Sequence, residues 1–223
     1  MNINYEESKE NSRNLLSTSI ILKFSTIFWK IKFPFAFLPN NRLVKSYSNK
    51  TMTKPEIIQQ LEAGFLNTTH TFQQTSEEKF FDKPASGKWT VAENLVHLIR
   101  AVKPLNQAFL LPTFAFRLLF GKPNRPSRSY EELVAKYHKK LAEGGSASGR
   151  FIPKVAQDDK KEHLIERFIE ANNTFVKRVK TLKEEDLDRY LIPHPLLGKL
   201  TIREMLYFTI YHTQHHLLAV KGL

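Results

Sequence analysis

His212 and His216 stand four residues apart in the segment Thr201-Ile-Arg-Glu-Met-Leu-Tyr-Phe-Thr-Ile-Tyr-His-Thr-Gln-His-His-Leu-Leu-Ala-Val, close to the end of the chain. On an α-helix this spacing stacks both imidazoles on one face, where they can hold a single ion; His215, between them, faces elsewhere. Thr201 and Glu204 form a capping box that fixes where the helix starts and so fixes its register. Two histidines do not make a metal site. A third is offered by Trp89-Thr-Val-Ala-Glu-Asn-Leu-Val-His97, in which Thr90 and Glu93 form a second capping box. His97 lies seven residues past its cap, against eleven and fifteen for the C-terminal pair, and these offsets differ by steps of four. Val91, Leu95, Leu98, Val102, Leu105 and Phe109 form the apolar stripe of the earlier helix; Ile202, Leu206, Ile210, Thr213, Leu217 and Val220 form that of the last. On helical-wheel arithmetic all three histidines lie roughly 80 to 120° to the same side of those stripes. That flank is where a bundle can hold an ion near a solvent mouth.

Three neutral imidazoles from two helices leave coordination positions open, the arrangement of a catalytic metal and not of a closed structural one. Imidazole suits Zn, Ni, Fe and Cu alike. In an open position a water has its pKa lowered toward ~7 and acts as nucleophile, whereas a thiol is ionised; the first gives hydrolysis, the second thiol transfer. The sequence has no cysteine, so a thiolate must come from a low-molecular-weight cosubstrate. No serine sits in a nucleophile-elbow context and no glycine-rich phosphate loop occurs, so the metal is the visible source of chemistry. Around it, Glu93 can orient His97 or accept a proton, although its capping role already accounts for it. His194 is held between Pro193 and Pro195 just before the metal helix, as a second-shell or substrate-facing group. His215 is a third such candidate, facing a polar neighbour or a partner subunit. His70, His138 and His163 project to solvent on their own helices.

The pattern Trp89-Thr-x-x-Glu-Asn-x-x-His97, then Leu191-Ile-Pro-His-Pro-Leu-Leu-Gly-Lys-Leu-Thr-Ile-Arg-Glu204, then His212-x-x-His215-His216, resembles the DinB-like family of metal-binding four-helix bundles. The resemblance covers about residues 53 to 221. It implies that one histidine of the second helix and an HxxxH pair of the last bind a divalent metal, which maps to His97, His212 and His216. It also implies an enzyme class: members include S-transferases that use bacillithiol, mycothiol or glutathione, while many others have no known reaction.

The scaffold follows from periodicity. Ile58, Leu61, Phe65 and Phe72 predict a first bundle helix from Lys54 to near Phe80 and Phe81. Trp89, just before its cap, is expected to act as a hydrophobic staple on Asn94 or Leu95. The second helix is expected to run to about Arg100 and to kink or end at Pro104, which lacks a backbone donor. The apolar run from Phe109 to Phe120 must be buried by covering the bundle, roofing the metal pocket or pairing two subunits. Tyr130, Leu133, Val134, Tyr137 and Leu141 predict one short amphipathic helix, and Gly144 to Gly149 a loop that is either a lid over the site or a surface insertion. Asp158 to Leu182 predicts the third bundle helix. The expected class is therefore all-α: a four-helix bundle of DinB-like type, with a long insertion between helices 2 and 3 that carries a short extra helix.

The formal charge is +12. Residues 1–50 hold eight Lys/Arg against three Asp/Glu, and the remainder 26 against 19, with the signs mixed. A solvated surface that attracts anions weakly is favoured over nucleic-acid binding. Residues 1–51 read as an N-terminal extension and 52–223 as the domain. Within the extension, residues 20–38 are apolar, but Lys23, Lys30, Lys32 and Pro34 interrupt them. A spanning helix and a signal peptide both fit poorly, and a basic amphipathic membrane anchor is the less favoured alternative to an upstream extension. The expected protein is a cytoplasmic, homodimeric, metal-dependent transferase or hydrolase acting on a small molecule. The alternative from a different class is a non-catalytic module that binds metal, an anion or nucleic acid.

Overall fold

Four capping boxes set the frame of the molecule, seen in a computed structural model that describes residues 51–84 and 87–222. These belong to a unit spanning Ser46–Leu223; the segment 20–38 lies outside the described residues. Thr53 and Glu56 open α1 (Lys54–Gln74), with Pro55 in its first turn. Its buried stripe is Ile57, Leu61, Phe65, Thr68 and Phe72, so Ile57 rather than Ile58 leads the face. The helix stops earlier than the periodicity predicts. Ser76 caps a separate short helix, α2 (Glu77–Phe81), which turns Phe80 edge-on to Phe72 at 6.3 Å.

Thr90 and Glu93 open α3 (Val91–Ala108). The helix does not end near Arg100 or at Pro104, and the proline lies inside it. A mid-helix proline costs about 3 kcal/mol. Val102 and Leu105 are buried on either side of it, each contributing about 1.5–3 kcal/mol. Asn106 also donates its side-chain amide to the carbonyl of Ala171 at 2.8 Å and accepts from Arg178 on its own carbonyl, which ties the distal turns to the facing helix. That helix, α6 (Lys161–Thr181), buries Leu164, Ile165, Phe168, Phe175, Val176 and Val179.

The insertion between α3 and α6 carries two helices and not one. The apolar run itself folds, as α4 (Thr113–Phe120), between Pro112 and Gly121, whose φ of 84° ends it. Ser129 and Glu132 then cap the expected amphipathic helix, α5 (Tyr130–Ala142), which buries Leu133 and Tyr137. A 3-10 turn, Gly149–Phe151, closes the insertion against α3.

After α7 (Asp186–Arg189) comes an element absent from the sequence reading, an antiparallel hairpin of β1 (Leu191–His194) and β2 (Gly198–Thr201). His194 pairs with Gly198, whose φ of 77° lets the three-residue loop close. The hairpin delivers the chain to α8 (Ile202–Lys221). Helices α1, α3, α6 and α8 form the four-helix bundle: α3 and α1 each pack on both α6 and α8, while α5 covers the outer face of α8.

Candidate metal centre

The start of α8 is fixed by a buried charge. Glu204 is fully buried and completes the capping box with Thr201. Its carboxylate accepts a two-point contact from Arg125 at 2.6 and 2.9 Å, and the Arg128 backbone at 2.8 Å. Burial pushes this carboxyl upward, but the hydrogen bonds from Arg125, Arg128 and Thr201 outweigh it and hold it below its ordinary value. Next to it Arg203 donates to Asp188, Glu184 and the carbonyl of Met52. The insertion, the hairpin and the first described residues thus meet at the first turn of α8, which sets the rotation of that helix.

Two and three turns further on, His212 and His216 face His97 of α3. His212 Nε2 lies 3.1 Å from His97 Nε2 and 3.1 Å from His216 Nε2. All three histidines are buried, and ligand atoms from the three lie within 4.8 Å of one another. The structure therefore brings together the three residues that the sequence singled out as metal ligands. Among the described residues no other group of this kind occurs.

The opposite ring nitrogens decide what those atoms present. His97 Nδ1 sits 2.7 Å from the carbonyl oxygen of Phe151, and His216 Nδ1 sits 2.7 Å from Asn94 Oδ1. Asn94 is held in that orientation because its Nδ2 donates to the carbonyl of Thr90 at 2.8 Å and that of Trp89 at 3.3 Å. Both rings thus carry their proton on Nδ1 and turn an Nε2 lone pair inward, the outer-sphere pattern that orients histidine ligands. Burial depresses the basicity of His97, and of His212 and His216 more strongly, so all three are neutral at pH 7. Two lone pairs face a third Nε2 that carries at most one proton. A cation at the common point would satisfy all three, and the donor set fits a divalent ion.

Aromatic rings wall the cluster. The Trp89 indole lies parallel to His216 at 5.9 Å and 4.9 Å from His97, so it packs on the histidines. Phe208, one turn before His212, stacks on that ring at 4.8 Å. Beside the cluster opens a cavity of about 790 Å³, lined by α3, α5, α8, the hairpin and the insertion.

The remaining candidates fall in different places. His215 is half-buried on the cavity wall, its ring 5.2 Å from His216 and 5.9 Å from Tyr137. His194 also lines the cavity. Its Nδ1 accepts the backbone N–H groups of Leu196 and Leu197 at 3.1 Å each, closing the hairpin loop. Burial, reinforced by Lys136, lowers His194 to about 4. Glu93 accepts from the Thr90 backbone at 2.7 Å and pairs with Lys83 at 3.1 Å, away from the cavity wall. His70, His138 and His163 are exposed, as expected, and His138 bonds the Tyr211 hydroxyl at 2.7 Å. Sequence reasoning missed the roles of Asn94 and the Phe151 carbonyl. The first left a signal, since Asn94 precedes His97 by one helical turn on the same face; the second left none.

A four-helix bundle with one histidine on its second long helix and an HxxxH pair on its last defines a class of helical metal-site protein. The chain belongs to the DinB superfamily, whose sequence model matches residues 60–220. It is 26% identical over 160 residues to YuaE of Bacillus subtilis (strain 168), itself uncharacterized, covering 71% of this chain and 91% of YuaE. Among solved structures it resembles YfiT from Bacillus subtilis, described as a probable metal-dependent hydrolase with an unusual four-helix bundle topology. That match has a TM-score of 0.49 at 18% identity, over 85% of this chain and 92% of YfiT. The colibactin self-resistance protein ClbS, solved in complex with a double-stranded DNA, aligns with a TM-score of 0.44 at 14% identity, over 79% of this chain and 97% of that one.

Proposed function

We propose that this protein is a divalent-metal enzyme of the thiol-transfer or hydrolytic type, with His97, His212 and His216 as the ligands and a small molecule as substrate. The observation that carries the reading is the convergence of three neutral, oriented imidazoles beside a 790 Å³ cavity. Pockets of about 300–1,000 Å³ take drug-sized ligands.

A bound divalent ion supplies Lewis acidity, which at neutral pH activates a water or ionises a thiol. The chain's own residues do the rest. Asn94 and the Phe151 carbonyl hold two ligands in one tautomer, while Trp89 and Phe208 shield the rings from water. His215 is kept neutral by burial and, secondarily, by His138, and it faces the cavity. It is the group placed to take a proton from the attacking species. His194 has one nitrogen committed to its loop and serves as a fixed, neutral contact for substrate. Since the chain has no cysteine, a transfer reaction draws its sulfur from a low-molecular-weight thiol.

The same reading makes the protein a cytoplasmic homodimer, supported by the absence of cysteine and by the apolar side chains that α4 leaves in the open. Nucleic acid is not assigned as a partner. The test is turnover by the full-length protein, with an electrophile plus a thiol and with an ester or amide, before and after chelation. Activity lost on chelation and restored by Zn, Ni or Fe supports the reading; activity indifferent to metal contradicts it.

A further inference from the structure

The histidines occupy one end of the cavity, and the rest of its lining is informative about what it takes. Most of the wall is apolar, with Leu98, Val102 and Leu105 of α3 on one side and Leu196 and Met205 on another. The lining follows α3 from His97 to Ala108, eleven residues, or about 16 Å at the helical rise. The slot is therefore long as well as apolar.

Its charges are one-sided. Among the described residues the lining contains no Asp or Glu, and its charged side chains are Lys88 and Arg150. Both belong to the His97 end. Arg150 lies in the 3-10 turn that reaches α3: its carbonyl accepts Arg100 Nη1 at 2.9 Å, and the next carbonyl, of Phe151, holds His97. Its guanidinium carbon stands 5.2 Å from the centre of the Phe151 ring. Lys88 precedes Trp89, whose indole covers His97. A cationic ligand would meet two cations and the ion proposed above with no carboxylate to pair with. An anionic group meets two partners at the mouth, and an apolar body fills the slot behind it.

We infer, building on the metal site proposed above, that the substrate is an elongated apolar molecule with an anionic group near its reacting end, the anion held by Arg150 and Lys88 and the apolar body lying along α3 toward Ala108. This assigns to Lys88, Arg150 and the distal wall of α3 the role of selecting substrate, separate from the ligands.

Titration calorimetry of the full-length protein with decanoate, decanamide, decylammonium and butyrate tests it, with metal content measured on the same samples. Decanoate is expected to bind at least ten-fold more tightly than decanamide or butyrate, with decylammonium not bound. A Lys88→Ala, Arg150→Ala double variant, altered at two exposed side chains, is expected to lose about ten-fold for decanoate while binding decanamide and metal as the wild type does. Equal binding of decanoate and decanamide, preference for decylammonium, or a carboxylate preference that survives the double variant would overturn the inference, the last because it places the anion on the ion. Decanoate selectivity in a protein that holds no metal would overturn the metal reading and leave the selectivity assignment standing.

Discussion

At the scale of the residue, the site is organised by what stands behind the ligands. Asn94 uses all of its amide: Nδ2 is committed to two carbonyls and Oδ1 to His216. Replacing it with Ala frees the His216 ring to rotate and to change tautomer, and such outer contacts are worth about 10–100-fold in metal affinity. Competition with a chelating indicator should show a loss of that size for Asn94→Ala; unchanged affinity would mean that the ligands orient themselves. His216→Ala should abolish metal binding with helical circular dichroism retained, since Leu206, Leu217 and Val220 keep the buried face of α8; unfolding would make the histidine structural. His194 contributes a pH dependence of its own. Its folded value of about 4 lies below the unfolded value near 6.5, so the unfolded chain binds the extra proton. The contribution of this one group is complete above pH 6.5 and is lost as pH falls toward 4, by up to ~1.4 kcal/mol per pH unit. Urea unfolding at pH 7 and pH 5 should show a smaller drop for His194→Gln than for the wild type; identical drops would remove His194 from the account. Of this scale the sequence disclosed the ligands, because i,i+4 spacing and two capping boxes are local. It could not disclose the carbonyl of Phe151, a backbone atom 54 residues away from His97.

At the scale of the element, the helix starts were legible and the helix ends were not. Thr90, Thr201 and their partner glutamates cap where the side-chain pattern says they do, because a capping box lies within four residues. Pro104 misleads for the opposite reason: whether a helix survives a proline depends on what α6 offers in return, which is a tertiary matter. The hairpin was hidden likewise, since Leu191-Ile-Pro-His reads only as extended until Gly198 is seen to close it back on itself. Glu204 is where these elements meet. Glu204→Ala should destabilise the fold by about 2 kcal/mol in urea unfolding. That is less than the 3–5 of a fully buried pair, because Arg125 and Arg128 are 31% and 27% exposed and regain water. It should also weaken metal binding, because α8 loses the anchor that sets its rotation. A variant with wild-type stability would show that the two arginines contribute nothing to positioning the helix.

At the scale of the whole molecule, the apolar run from Phe109 to Phe120 divides its labour. Phe109 and Phe116 are buried in the core, while Leu110, Phe114, Leu118 and Leu119 remain more than 60% exposed. Exposed apolar clusters of this kind mark interaction surfaces, and a second copy is the partner proposed above. Light scattering should find a dimer, and a Phe114→Glu, Leu118→Glu variant should be monomeric with metal content intact; a monomeric wild type would contradict that assignment. The whole account nevertheless turns on one point, whether three imidazoles from α3 and α8 hold an ion. Elemental analysis of the purified full-length protein, beside a His97→Ala, His212→Ala variant, measures this directly. The account predicts close to one equivalent of divalent metal in the wild type and none in the variant. No metal in either, even after Zn, Ni or Fe is added back, would contradict it and leave a bundle whose histidines merely pack.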